Sequence, residues 1–227
     1  QEWVWGYKET DRLGGPDPYS ASKGAAELAI SSYIRSYFPS GGKVRIGIGR
    51  AGNVIGGGDW AKDRIVPDSV RSWADGATVL LRNPGATRPW QHVLEPLSGY
   101  LNLAMRLSID LSVHGEPFNF GPSASQERTV EGLVVEMSNY WDLVQFQNTI
   151  SNSSPVYESS LLKLNCDKAM HLLGWRSTWN FEETVKETML WYREYYENSH
   201  RSMADYSINQ IVKYTALAKK QGLPWAQ

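Results

Sequence analysis

Tyr19 and Lys23 stand four residues apart in the run Asp17-Pro18-Tyr19-Ser20-Ala21-Ser22-Lys23. If that run opens a helix, the phenol and the ammonium share one face, one turn apart. Asp17 is a good N-cap, and Pro18 suits the first helical position, where a missing N–H costs nothing. A nearby ammonium and the positive end of the helix dipole both favour phenolate over phenol. A tyrosine so placed can take the proton of a sugar or alcohol hydroxyl while hydride leaves the same carbon. Tyr-x-x-x-Lys also arises by chance, but here Ser20, Ala21, Ser22, Gly24, Ala25 and Ala26 keep the helix slim enough for a flat ligand to lie against it.

Four arginines form a second group. Arg50, Arg64, Arg82 and Arg88 fall at strand ends or in the loops that follow, where α/β proteins gather ligands. Their forks match phosphate oxygens, although surface ion pairs are the plainer use. Arg88, between Thr87 and Pro89-Trp90, is the best single candidate. Gly47-Ile48-Gly49-Arg50-Ala51-Gly52 fits G-x-G-x-x-G, the dinucleotide fingerprint. That fingerprint should open a helix, and Asn53-Val54-Ile55-Gly56-Gly57-Gly58-Asp59 cannot. These glycines are better read as tight turns or as places where backbone approaches a ligand.

The elements that must carry these residues alternate. Residues 1–16 read as loop, and a helix is expected from Pro18 to about Tyr37, with Ala25, Leu28, Ala29, Ser32, Tyr33 and Ser36 at helical spacing. A strand over residues 44–49 and a glycine-rich loop over 50–60 follow. Next come a helix over about 65–75, a strand over 79–82, a loop over 83–88 and a helix over 93–111. Leu97, Leu101, Ala104 and Leu107 are expected to face inward on that last helix. Further on, the pattern gives a strand at 117–120, a helix at 129–140, a polar loop at 151–155 and a strand at 161–164. A short helix at 167–173, stopped by Gly174, precedes a long aromatic helix at 181–197 and a last helix or tail beyond Met203. The fold class is α/β: the end of a Rossmann-type doubly wound parallel sheet plus a smaller mixed α/β domain.

Composition narrows the function classes. The 227 residues are 41% hydrophobic and 21% charged with a net charge of -1, so nothing marks a nucleic-acid or membrane surface. The single cysteine, Cys166, excludes an intrachain disulfide and agrees with a reducing cytoplasm. No metal-ligand cluster stands out. Of ten tryptophans and twelve tyrosines most are expected in the core, with some able to stack on a flat ligand. The opening Gln1-Glu2-Trp3-Val4-Trp5-Gly6-Tyr7 reads like the middle of a longer product.

Three long runs resemble the CDP-glucose 4,6-dehydratases, extended short-chain dehydrogenase/reductases. They are residues 49–64, the Arg82-Asn83-Pro84 triplet, and Arg88-Pro89-Trp90-Gln91-His92-Val93-Leu94-Glu95-Pro96 on to Tyr100. Glu2 to Tyr7, the Pro18–Lys23 run, Leu162-Lys163-Leu164 and Leu173-Gly174-Trp175 fit the same family. The resemblance implies NAD as cofactor and CDP-glucose as substrate. Tyr19 would accept the 4-hydroxyl proton, water would leave across C5–C6, and the product would be CDP-4-keto-6-deoxyglucose. It implies that Lys23 holds the nicotinamide ribose, that Ala51 and Gly52 line the nicotinamide, and that Asn53 and Arg88 hold the diphosphate. Arg64, Arg82 and Asn119 would shape the nucleotide pocket; Tyr157-Glu158 stands where relatives often show His-Glu. It implies residues 1–60 as the end of the NAD-binding domain, 61–227 as mainly the sugar-nucleotide domain with about 89–112 returning, and a homodimer or larger oligomer using the outer face of helix 18–37. A non-catalytic nucleotide-binding module, and a related epimerase or dehydratase for another nucleotide, stay open as alternatives.

Overall fold

The computed structural model describes residues 5–123, 126–148, 161–198 and 202–227. Asp17 caps helix α1 (Pro18–Tyr37), its Oδ1 accepting from Ser20 N at 2.9 Å. Strand β1 (Ile48–Ala51) begins four residues later than the β-branched run predicts, because pairing sets its start and Val44 has no partner strand and lies exposed. Within the expected glycine loop lies a second short strand, β2 (Val54–Ile55). Then follow α2 (Ile65–Ala74), β3 (Val79–Leu81), β4 (Thr87–Arg88) and β5 (Gln91–His92). Helix α3 (Leu94–Ile109) leads to β6 (Pro117–Phe120), β7 (Arg128–Thr129), α4 (Val130–Ser138) and β8 (Phe146–Asn148). The expected strand at 161–164 is reduced to isolated bridges from Leu161 to Thr87 and from Leu164 to Tyr7. Residues 169–173 form one π-helical turn that Gly174 ends at φ 67°. An asparagine capping box at Asn180 starts α5 (Phe181–Glu197), and α6 (Met203–Lys220) follows. The expected loop at 151–155 and the Tyr157-Glu158 pair lie outside the described residues.

Four two-strand pairs organise the described strands: β1–β6, β2–β5 and β3–β8 are parallel, and β4–β7 is antiparallel. Parallel neighbours far apart in sequence, with helices between them, make this an α/β fold with a Rossmann-like parallel core. One apolar core gathers Val66, Val70, Trp73, Leu81, Leu133, Met137, Val185 and Met189 under α2, α4 and α5. A second gathers Leu103, Phe118, Phe120, Leu173, Trp175 and Tyr214 between α3, β6 and α6.

Helix α3 corrects an expectation. Its buried residues are Glu95, Pro96, Ser98, Gly99, Asn102 and Leu103, whereas Leu97 and Leu101 point outward. The polar inward face is tolerated because distant segments meet most of its polar groups. Glu95 accepts from Thr178 N (2.9 Å), Trp179 N (2.8 Å) and the Tyr214 hydroxyl (2.8 Å). Asn102 Nδ2 donates to Leu173 O at 2.6 Å, and Trp175 Nε1 donates to Ser98 at 3.2 Å. Gly99 is needed there, since a Cβ would fall 2.3 Å from the Phe120 ring.

Helix α1 lies differently. Only Gly24 and Ile34 are buried on it, while Leu28, Ile30, Tyr33 and Tyr37 are exposed. Beside it Ile48 N and Gly52 N donate to the β6 side of β1, so the main-chain groups of Gly49 and Ala51 face the other way. No strand among the described residues pairs with that edge. A groove of about 580 Å³ runs along it, lined by Ala29, Ile30, Tyr33 and residues 46–49.

Burial pushes the Glu95 carboxyl up to about 7, ahead of the opposing hydrogen bonds from Trp179, Thr178 and Tyr214. Folding therefore favours its protonated form. That contribution is complete below the free carboxyl's range near 4.5 and is lost as pH rises through about 7. Burial pushes His92 the other way, down to about 3, so its contribution is present above 6.5 and is lost as pH falls towards 3. Glu95→Gln should remove only the first effect: the difference in melting temperature between parent and variant should change steadily from pH 4.5 to 7.5, in the variant's favour as pH rises. A difference independent of pH, measured by thermal unfolding, would show that Glu95 does not titrate there.

Candidate functional site

The ends of the parallel strands bring several predicted residues together. Gly52, just past β1, donates its N–H to Phe120 O at 3.0 Å, and Asn53 O accepts from Gln91 N at 2.9 Å. A Cβ on Gly52 would lie 3.0 Å from Pro89 Cγ and 3.1 Å from Pro89 O, so glycine here permits close packing of residues 51–53 against 89–91. Gln91, buried, ties the same point to β6 by donating from Nε2 to Phe120 O at 2.8 Å. Ala51, Gly52, Asn53, Arg88 and Asn119 thus belong to one region at the C-terminal ends of β1 and β6, the usual ligand side of such sheets.

Within it the residues differ in freedom. Arg88 is buried on β4, its Nη1 donating to Thr87 O at 2.8 Å, and it stands opposite Arg128 in the β4–β7 ladder. Two arginines directly opposed need an anionic group nearby, and Arg128 has one in Glu182 at 3.4 Å. Asn119 is buried and works as a structural lock: Nδ2 donates to Tyr7 O (3.0 Å) and Asn165 O (3.1 Å), and its backbone N–H donates to Glu9 Oε1 at 2.8 Å. Arg64 and Arg82 lie on the surface, Arg64 with Asp59 at 3.8 Å and Arg82 with Asp63 at 3.0 Å. Arg50 is fully engaged. Its Nε and Nη2 donate to the two Glu27 oxygens at 2.7 and 2.5 Å, and Nη1 donates to Glu9 O at 3.1 Å.

Tyr19 sits in the first turn of α1, 72% exposed, and Lys23 is exposed one turn on. The Lys23 Nζ lies over the Tyr19 ring, 5.7 Å from its centroid. Around them Ser22, Ala25, Ala26 and Ala29 are exposed, so the slim face expected from the sequence is open. The glycine cluster 56–58 has another cause. A Cβ on Gly57 would fall 2.0 Å from the Trp191 ring, so Gly57 admits a tryptophan of α5, while Gly56 lies against Val93. G-x-G-x-x-G is strand β1 itself, followed by β2 and no helix before Ile65.

Sequence reasoning passed over Glu9, Glu27 and Gln91. Glu27 carried a misleading signal, since four residues after Lys23 on a predicted helix it suggests an ion pair with Lys23, whereas its partner is Arg50. Glu9 and Gln91 carried none, since their partners come from β1 and β6. Among the described residues no group of His, Cys, Asp and Glu could hold a metal ion, and no helix is long and apolar enough to cross a membrane.

Comparisons with known proteins bear on the family and the fold. No family model matches the chain. The CDP-glucose 4,6-dehydratase of Salmonella typhimurium is 43% identical over 217 residues, covering 91% of this chain and 60% of that protein. The dTDP-glucose 4,6-dehydratase of Streptomyces antibioticus is 30% identical over 180 residues, 78% of this chain and 49% of that protein. A solved dTDP-glucose 4,6-dehydratase from Streptomyces venezuelae, with NAD and TYD bound, superposes with a TM-score of 0.65 at 23% identity, over 84% of this chain and 55% of the other. The chain therefore spans about 60% of the curated relative's length. The fold is that of the extended NAD-dependent epimerases and dehydratases within the short-chain dehydrogenase/reductases. Within that class the chain matches the CDP-glucose/dTDP-glucose 4,6-dehydratase family.

The close approach at Gly24 yields a test of how α1 is seated. A Cβ there would lie 2.9 Å from Gly14 N and 3.0 Å from Gly14 Cα. Alanine normally gains about 1 kcal/mol over glycine inside a helix, yet Gly24→Ala should lower the melting temperature by displacing the 13–14 loop. A melting temperature at or above the parent's would show that the loop yields freely.

Proposed function

We propose that this chain carries the acid–base pair and the sugar-nucleotide side of an enzyme converting CDP-glucose to CDP-4-keto-6-deoxyglucose and water. The observation that carries the reading is the 43% identity to a CDP-glucose 4,6-dehydratase, against 24–30% to dTDP-glucose enzymes. Identity that high over 217 residues supports the CDP form of the substrate in particular.

Tyr19 and Lys23 fit the nicotinamide ribose in donor chemistry: a hydroxyl and an ammonium, both exposed, on a helix face kept flat by serine and alanine. Among the described residues no glycine-rich turn opens a helix for the cofactor's phosphates, so the fit concerns the nicotinamide end alone. NAD+, when bound, supplies a temporary acceptor for hydride. The chain's own part is then proton handling and positioning. Tyr19 takes the proton of the sugar 4-hydroxyl as hydride leaves and the carbonyl forms, and Lys23 stabilises the anionic Tyr19 oxygen that receives that proton. Arg88 and Asn53 face the diphosphate, Arg88 with a planar guanidinium fork that matches phosphate oxygens. Arg64 and Arg82, exposed and singly paired, are placed to contribute at the pocket's rim. Ala51 and Gly52 line the nicotinamide side. In this reading residues 1–60, with 89–112, close the cofactor domain, and most of 61–227 holds the sugar nucleotide. The outer face of α1, with Tyr33 and Tyr37, is the proposed contact between protomers.

The test uses protein expressed from the complete gene. It should convert CDP-glucose to a keto sugar, and Tyr19→Phe should lower kcat by about 10³-fold while CDP binding, followed by calorimetry, stays within a few-fold. Native CDP binding without turnover would replace the enzyme with a binding module. Normal turnover in Tyr19→Phe would remove Tyr19 from the chemistry.

A further inference from the structure

Lys23 and Glu27 are four residues apart on α1, the spacing at which an ammonium and a carboxylate normally meet. They do not meet here. Both Glu27 oxygens are taken by the Arg50 fork, at 2.7 and 2.5 Å, with the two side chains only 17% and 20% exposed. Lys23 instead lies over the Tyr19 ring, and no ion pair to it is found among the described residues. Arg50 reaches Glu27 from β1, the residue before Ala51, and its third nitrogen, Nη1, donates to Glu9 O. A Glu27 deprived of Arg50 would be a half-buried carboxylate without compensation, and the cation one turn away is its readiest partner.

We infer that Arg50 is a positioning residue that sequesters Glu27 from Lys23, so that the ammonium stays at Tyr19, and that the same fork sets helix α1 against the end of β1. The inference rests on the dehydratase reading for its consequence in catalysis. Its structural content does not need turnover. With only Gly24 and Ile34 buried on α1, apolar packing holds the helix weakly, and the charged fork fixes its slide along the strand.

Three variants of the protein expressed from its complete gene test this: Arg50→Met, Glu27→Gln, and the two combined. Arg50→Met should lower kcat for CDP-glucose by about 10²-fold, with KM changed far less. Adding Glu27→Gln should recover about tenfold of that loss, because the competing carboxylate is gone. A clamp that is structural alone makes the double variant no better than Arg50→Met, and that result would overturn the inference. The second readout is the rate at which acetic anhydride modifies Lys23, followed by peptide mass spectrometry. It should fall in Arg50→Met and return in the double variant. An unchanged rate in Arg50→Met overturns the inference, including where the native protein turns over no CDP-glucose and the dehydratase reading itself fails.

Discussion

Helix α1, which carries Tyr19 and Lys23, is tied to β1 chiefly through a charged pair. Helix α1 presents twenty residues to its surroundings and buries two, so the usual apolar seam that orients a helix is almost missing. The Arg50–Glu27 fork takes its place, joined through Glu9 to Asn119 and from there to Tyr7 and Asn165. A bidentate pair fixes direction as well as distance, which greasy contact does not. The placement of Tyr19 and Lys23 relative to β1 follows from that network.

A similar substitution of polar for apolar contact occurs on α3. Glu95, Ser98 and Asn102 face inward and are each met by a group from residues 173–179 or from α6. These bonds knit the C-terminal third of the chain onto the β1–β6 layer. The cost is a buried carboxyl, offset by three donors.

How much of this was legible in the sequence depends on how local each cause is. The limits of α1 and α5 could be read almost to the residue, because Asp17 and Asn180 cap them from one turn away. Strand β6 was legible as a short apolar run. The two-residue strands β2, β4, β5 and β7 were not, since only a partner distant in the chain makes them strands. The inward face of α3 was misread for the same reason: Leu107 packs on the core as expected, but Leu97 and Leu101 look like core until Thr178, Trp179 and Tyr214 are known to meet Glu95. Tyr19 and Lys23 stood out through their spacing on an expected helix, and the two are close in space. Arg50 looked like a phosphate ligand, and what engages it, Glu27 on another element, lies outside any local window. Asn119 was expected in the nucleotide pocket, whereas its amide hydrogens hold two main-chain carbonyls.

The bare flank of β1 has a practical side. No described strand pairs with the amide and carbonyl groups of Gly49 and Ala51, which lie next to an apolar trough lined by Ile30, Tyr33 and Ile48. Such a surface is a ready template for mispairing between molecules. These 227 residues, produced alone and concentrated, are therefore prone to clump, and mild temperature and dilution during preparation are the sensible remedy.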